Sequence, residues 1–429
     1  HMGNARGGAL GDCLAAVLDK AGYNAWREFY VNDAGNQIEK FGCSLEARYL
    51  QIFKGDEIEF PEDGYQGEDI KDLAKEYADL NGDSLVNVSA EERKKALVDY
   101  ALPKNIKKMQ ADMEKYKIFY DKWFFESELH KSGAVKAVVD LLTKKGLTYE
   151  KDGAVWYKNK EVLTQKLLKE GKSQKYIDNL ELKDDVLIRQ NGNPTYFTAD
   201  IAYHKNKFDR GFTTLIDVWG ADHHGHVMRM KGAMDAIGYD GDKLNVVLMQ
   251  LVKLVKDGEL VKMSKRTGKA IQLGDLLDEV PVDSARFLFN TKEANTQMDF
   301  DLDLAVSQDN QNPVYYVQYA HARICSIFKS LAKEGISPRE CTDSELALLT
   351  APEEKELINH LASYTNEIIS AAKDYDPTKV TRYVTQLATL FHKFYNACRV
   401  KGEEECLMQA RLCLLYTSPS PRDRSLSRM

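Results

Sequence analysis

Two stretches far apart in the chain carry side chains suited to phosphate chemistry. Lys262-Met263-Ser264-Lys265 runs into Arg266-Thr267-Gly268 and follows an Asp257-Gly258 pair. Two lysines three apart on a glycine-flanked loop can follow phosphate charge as pyrophosphate is displaced, favouring the transition state over the ground state. On four residues alone, a solvated basic turn explains the loop as readily. The other stretch, His1-Met2-Gly3-Asn4-Ala5-Arg6-Gly7-Gly8, leads into an amphipathic run. Glycines at the mouth of a helix let a nucleotide approach the backbone, and a helix N-terminus favours phosphate. An imidazole there can donate to phosphate oxygens. Glycines before helices are common, so this signal gains its weight from the lysine loop downstream.

Both stretches need elements to hold them. Leu10, Leu14, Val17 and Leu18 predict a helix over 9–22 that stops at Gly22, and Trp26–Val31 reads as a short buried strand, together half of a βαβ unit. From about 58 to 118 the pattern becomes acidic, lysine-rich and helical, an insertion expected to be mostly solvated, as is the face Lys104–Lys122. Gly146–Leu163 reads as a small sheet around Trp156 and Tyr157. The α/β rhythm then returns. Val186–Ile188 and Thr195–Thr198 flank an Asn-Gly-Asn turn, Leu215–Trp219 is a strand, Asp222–Gly238 a helix and Leu244–Val255 one long strand. Asp257-Gly258 marks a hairpin. After about Phe300 strands vanish, and helices are expected over 314–331, 351–373 and 378–399. The fold class is therefore α/β over 1–300, with an all-α part over 301–415. Residues 416–429 hold four Ser, two Pro and three Arg without an apolar period, and read as a disordered or artefactual tail.

The composition sets outer limits. The chain has 429 residues, 43% hydrophobic and 29% charged, which suits a folded chain with a sizeable core and argues against disorder. No apolar run is long enough to cross a bilayer, and no signal peptide is visible, so a cytoplasmic protein with no membrane partner is expected. The seven cysteines are scattered without a CxxC pair, as reduced core thiols would be. A net charge of −7 excludes a generally basic nucleic-acid binder but not a local basic surface.

The two phosphate motifs together resemble the HIGH and KMSK motifs of class I aminoacyl-tRNA synthetases, with Asn4 in the fourth position of the first. Longer stretches narrow the resemblance to the arginyl-tRNA synthetase family of bacterial type: Tyr30-Val-Asn-Asp-Ala-Gly-Asn-Gln37, Pro194-Thr-Tyr-Phe-Thr-Ala-Asp-Ile-Ala-Tyr-His204, Trp219-Gly-Ala-Asp-His-His-Gly225 and Asn312-Pro-Val-Tyr-Tyr-Val-Gln-Tyr-Ala-His-Ala-Arg323. The match runs from His1 to about Leu415. It implies a Rossmann-like class I catalytic domain with an insertion, followed by a helical anticodon-binding domain. It also implies activation of L-arginine by ATP, with Mg2+, and transfer to tRNA(Arg), with tRNA needed for the first step and the chain acting as a monomer.

Carried over by position, the resemblance makes His1, Asn4, Lys262 and Lys265 catalytic. It places ATP against His1, Gly3, Asn4, Gly220, Asp222, His223, Met263, Ser264 and Lys265. Arginine would meet Asn32, Asp33, Tyr196, Asp200 and His224, and tRNA would meet Arg323, Lys393, Tyr395 and Arg399. No resident metal is expected. The family also has, ahead of its first motif, a strand with an Asn-Pro-Thr-Gly-Pro type turn and a tRNA-binding N-terminal domain, so a fragment of reduced activity is expected here. Two other functions fit parts of the sequence: a non-catalytic tRNA-binding fragment, and another adenylate-forming nucleotidyltransferase. Asp222-His223-His224-Gly225-His226 would also suit a metal cluster or a phosphoesterase motif, although no companion acidic motifs stand at other strand ends. His321, His392 and the stripe Phe391, Phe394, Tyr395 read as helix packing.

Overall fold

The computed structural model describes residues 2–55, 57–261 and 272–417. The first helix, α1 (Met2–Lys20), already begins at the glycine motif, several residues ahead of the apolar run, and Tyr23 N–H closes its end on the Leu18 carbonyl at 3.0 Å. It leads to β1 (Glu28–Val31), whose only buried side chain is Val31. Trp26, expected to start a buried strand, is exposed, because the ladder begins two residues later.

The helical insertion starts earlier than its composition suggests. Phe41, Leu45 and Tyr49 of α2 (Asn36–Lys54) pack with Ile70 and Leu73 of α3 (Glu68–Asn81) and Leu97 of α4 (Ala90–Lys115), giving these three helices a core of their own. Ser89 caps α4 by accepting the Glu92 N–H at 3.2 Å. The chain then leaves the insertion through Met113, Tyr116 and Ile118, which are buried in the main core rather than solvated. Lys122 opens β2 (Lys122–Phe125), parallel to β1 with Tyr30 opposite Phe124.

The small sheet forms as expected from β3 (Thr148–Lys151), β4 (Ala154–Tyr157) and β5 (Asp185–Ile188), all antiparallel. Thr195–Thr198 is not a strand. Pro194 makes one bridge to Ile188, and a helix begins at Tyr196 and runs to Asp209. β6 (Leu215–Gly220) and β7 (Leu244–Met249) pair in parallel around the helix His224–Ile237.

The long apolar run 244–255 divides at Gln250-Leu251. Its second half, β8 (Val252–Lys256), turns through Asp257 and Gly258 into β9 (Glu259–Leu260) and pairs on its other side with β10 (Met298–Asp301). Both turn residues have positive φ, 54° and 76°, as a two-residue hairpin of this hand requires.

Beyond β10 the described residues are helical. Leu302, Ala305 and Val314 still pack in the main α/β core, while Val317 opens the helical core, so the change of core falls within the helix Pro313–Ala332. The run 351–373 is two helices, Pro352–Ala362 and Tyr364–Lys373, joined at Ser363. Thr378–Ala397 is a single helix with Phe391 and Phe394 buried. The last described helix is Glu405–Thr417; the rest of the tail lies outside the described residues.

The two parallel pairs, β2–β1 and β6–β7, face one cleft of about 2140 Å³. Successive residues of β1 and of β6 line it, so both strands present an edge rather than a face. Among the described residues no strand joins the two edges.

Candidate active site

The carboxyl ends of β1 and β6 open onto this cleft, which is where open α/β sheets hold their ligands. On one side stands the first turn of α1. Gly3 and Asn4 line the cleft there, in the turn whose N–H groups lack helical partners. Gly8 lets α1 lie close to its support: a Cβ would come within 3.1 Å of Ile118 Cδ1. β6, whose Val218 side chain meets α1 at Gly11, ends at Gly220, where a Cβ would stand 2.4 Å from Asp222 Oδ1. Any side chain at 220 would push that carboxylate away. Asp222 and His223 follow, exposed and on the cleft wall. His224 is exposed and does not line the cleft; His226, two residues later, does. His1 and Lys262, Met263, Ser264 and Lys265 lie outside the described residues. The hairpin β8–β9 delivers the chain to within one residue of Lys262.

Acidic side chains gather where Tyr30 and Asp200 line the cleft. Tyr196 and Asp200 lie one turn apart at the start of their helix and so share a face. Asp200 Oδ2 accepts from His226 Nε2 at 3.0 Å, and the His226 ring packs between Phe197 (5.6 Å) and Trp219 (5.3 Å). Tyr196 is exposed and lies near the Gly35 turn, where a Cβ would meet its ring at 3.8 Å. Asp33 accepts the Ser127 N–H at 2.8 Å, and Asn32 is exposed on the cleft wall.

Glu126 joins this group, although nothing in the local sequence marks it. It stands at the end of β2, 3% exposed, with His130 Nε2 at 3.5 Å. Burial pushes its carboxyl above the usual range, against bonds from His130 and the Tyr30 hydroxyl, and the Asp200 charge adds to the rise. Burial and the charges of Glu126, Asp200 and Asp33 raise the Tyr30 phenol far above its ordinary value, so Tyr30 acts as a neutral donor. Three carboxylates around one phenol suit a planar cation with several donors.

Two families match the chain. Residues 1–325 match the class I tRNA synthetase (R) catalytic domain, and residues 317–418 match the DALR anticodon binding domain. The arginine--tRNA ligase of Ruminiclostridium cellulolyticum is 57% identical over 97% of this chain and 71% of its own length. That of Acetivibrio thermocellus is 55% identical over the same shares. A crystal structure described as a putative arginyl-tRNA synthetase from Campylobacter jejuni superposes with a TM-score of 0.80 at 33% identity, over 100% of this chain and 88% of that one. The chain belongs to the arginyl-tRNA synthetase family.

It is thus an arginine--tRNA ligase, an ATP-dependent class I synthetase acting on arginine and tRNA(Arg), with a Rossmann-like catalytic domain and a DALR helical domain. Neither rival reading finds support. Among the described residues no group of three metal-ligating side chains converges. No helix among them is long and apolar enough to cross a membrane.

In the helical domain of the synthetase, two of the four expected tRNA residues meet. The Arg323 guanidinium lies 4.6 Å from the Tyr319 ring and 4.6 Å from the exposed Tyr395 ring. Lys393 is exposed and pairs with Glu356 at 3.6 Å; Arg399 is exposed, and its carbonyl accepts from Arg411. His392 is packed between Tyr316 and Tyr319, at 4.9 and 5.9 Å, and burial lowers its imidazole.

Behind Asp200 sits a buried ion network. Asp217 of β6 accepts from His204 Nε2 at 2.5 Å and from Lys207 Nζ at 2.9 Å, while His204 Nδ1 donates to the Asp200 carbonyl at 2.7 Å. Burial alone would raise the Asp217 carboxyl, but Lys207 and His204 hold it well below the usual range. A depressed carboxyl adds stability above its unfolded value, near pH 4, and loses it as pH falls toward its folded value. Asp217→Asn should cost about 3–5 kcal/mol at neutral pH, since it takes the charge partner from Lys207. In thermal melts, the gap between wild type and variant should narrow below about pH 4. A gap that stays constant with pH would show that the pair contributes nothing electrostatic.

Proposed function

We propose that the cleft holds ATP with its phosphates toward the first turn of α1 and arginine with its guanidinium among Asp33, Glu126 and Asp200. The reaction needs positioning and charge stabilisation rather than a covalent nucleophile. The arginine carboxylate oxygen attacks the α-phosphorus, the bond to the bridging oxygen breaks, and pyrophosphate leaves. The tRNA ribose hydroxyl then attacks the acyl carbon and releases AMP. In this reading Gly3, Asn4, Asp222 and His223 face the nucleotide, with His1 and residues 262–265 at the phosphates. Asn32, Tyr30 and Tyr196 surround arginine. His226, bonded to Asp200, joins them, where the resemblance named His224. Arg323 and Tyr395 form the tRNA surface together, with Lys393 and Arg399 at its margin.

Asp222 is the one carboxylate at the end of β6, and it is exposed, so magnesium would come with the nucleotide phosphates rather than in a protein cage. Seven free cysteines support a reducing, cytoplasmic setting.

The observation that carries the proposal is the trio of carboxylates around Tyr30 beside a glycine-rich helix start. Its test is exchange of labelled pyrophosphate into ATP with tRNA(Arg) present. Exchange should require arginine; exchange with another amino acid, or none, would remove it.

A pH dependence follows from Glu126. Its carboxyl is raised by burial, and a bound guanidinium favours the ionised form, so arginine binding should release a proton and strengthen as pH rises through the Glu126 value. Calorimetry in buffers of different ionisation enthalpy reads that proton. Glu126→Gln should remove its pH dependence, a control that separates Glu126 from His130 and His226. Proton release equal in both proteins would assign the effect to a histidine.

A further inference from the structure

Arg6 lies within the glycine stretch that opens α1, and its side chain is fully buried, 0% exposed. It makes no ion pair among the described residues. Its guanidinium instead donates to four main-chain carbonyls. Nη1 reaches Gln250 and Thr296, both at 3.0 Å, and Nη2 reaches Glu293 at 2.8 Å and Lys292 at 3.4 Å. Nε has no partner among the described residues. Burial without a counter-charge lowers the guanidinium from its ordinary value. Apolar filler would occupy this volume without that penalty. What an apolar side chain lacks is a rigid plane of donors, which fixes the relative positions of the groups that accept from it.

The four carbonyls share one place in the fold. Gln250 is where the chain leaves β7 and turns into β8; its own N–H donates to the Ala294 carbonyl at 2.8 Å. Residues 292–296 form the turn that feeds β10, and Met298 N–H reaches the Leu251 carbonyl at 3.3 Å. β8 and β10 therefore start from a platform that Arg6 ties to the first turn of α1. β8 continues through its hairpin to residue 261, and the next residues in sequence are Lys262-Met263-Ser264-Lys265.

We propose that Arg6 is a positioning residue for adenylation: it fixes the root of the β8–β9 hairpin against the Gly3–Asn4 end of α1. It touches no reacting atom. The inference rests on the assignment of this cleft to ATP and arginine, and on the four bonds above.

The test uses the whole 429-residue chain with Arg6→Lys and Arg6→Gln. Two measurements are made: arginine-dependent pyrophosphate exchange with tRNA(Arg), and deuterium uptake of segments 250–260 and 290–301, with Thr378–Ala397 as internal control. The expected result is a kcat lower by roughly 10- to 100-fold, since a small misplacement of reacting groups carries such a cost. KM for ATP should stay within about threefold. Uptake should quicken in both segments and not in the control helix. Wild-type uptake in the two segments would overturn the proposal. So would faster uptake everywhere with KM values for ATP and arginine rising together, the mark of a merely structural arginine. Wild type without arginine-dependent exchange would instead remove the functional assignment, and the uptake comparison would still decide whether Arg6 holds the hairpin root.

Discussion

Asp200→Asn should lower kcat/KM for arginine by roughly 30-fold or more, and leave ATP binding unchanged. The argument begins with geometry. Asp200 is about a third exposed, and one Oδ is held by His226. Asparagine keeps the shape and the partner but removes the charge. The remaining carboxylates do not compensate equally. Glu126 is held toward its neutral form by burial, and Asp33 already accepts the Ser127 N–H. A guanidinium cannot shed its proton to relieve the loss. Removing one partner of a desolvated charge pair costs about 2–5 kcal/mol, and each 1.4 kcal/mol is a decade. Lysine, a compact point charge, should stay a poor substrate of both proteins. The measurement is steady-state exchange with arginine varied, and nucleotide affinity measured separately. A loss below about threefold, with arginine affinity unchanged, would make Asp200 a helix-face residue that only orients His226.

That pairing was partly legible in the sequence, and the reason is local. Tyr196 and Asp200 are four apart, and a helix through them puts both on one face whatever else the chain does. The Asp257-Gly258 turn was legible for a similar reason: two consecutive residues at positive φ leave few sequence choices. His224 and His226 show the limit. Which of two nearby histidines meets Asp200 depends on where the helix starts, and boundaries are set by packing that sequence shows poorly. The helix starts at His224, so the ring that turns toward Asp200 is that of His226.

Long-range contacts were not legible at all. Glu126 reaches the pocket only because β2 pairs with β1 across the insertion, with Val31 opposite Phe125. The unbroken apolar run 244–255 gave no hint of a break, because Gln250 is drawn out of the β7 line by Arg6, 244 positions away, and by Ala294. Composition likewise suggested that the insertion begins near residue 58. Its first helix, α2, carries an ordinary amphipathic pattern, and only its partners α3 and α4 show which core it joins.

Lys265→Ala should lower the rate of adenylation by two to three decades while ground-state ATP binding changes little. Lys262 and Lys265 lie outside the described residues, so this expectation comes from the sequence and from what leads to it: a hairpin whose root is tied to the start of α1 by Arg6. As the bond to pyrophosphate breaks, charge gathers on the leaving oxygens. A cation that meets this charge best at that moment stabilises the transition state selectively. Loss of one such contact costs about 2.7–4 kcal/mol. A lysine that held ATP equally in the ground and transition states would give the opposite pattern, a raised KM with an unchanged kcat. Single-turnover formation of arginyl-adenylate at saturating ATP, with tRNA(Arg) present, separates the two. A normal rate with weakened ATP affinity would assign Lys265 to binding alone. A slow rate with normal affinity would assign it to the chemical step, and Arg6→Lys should then show the same signature through a contact that never reaches the nucleotide.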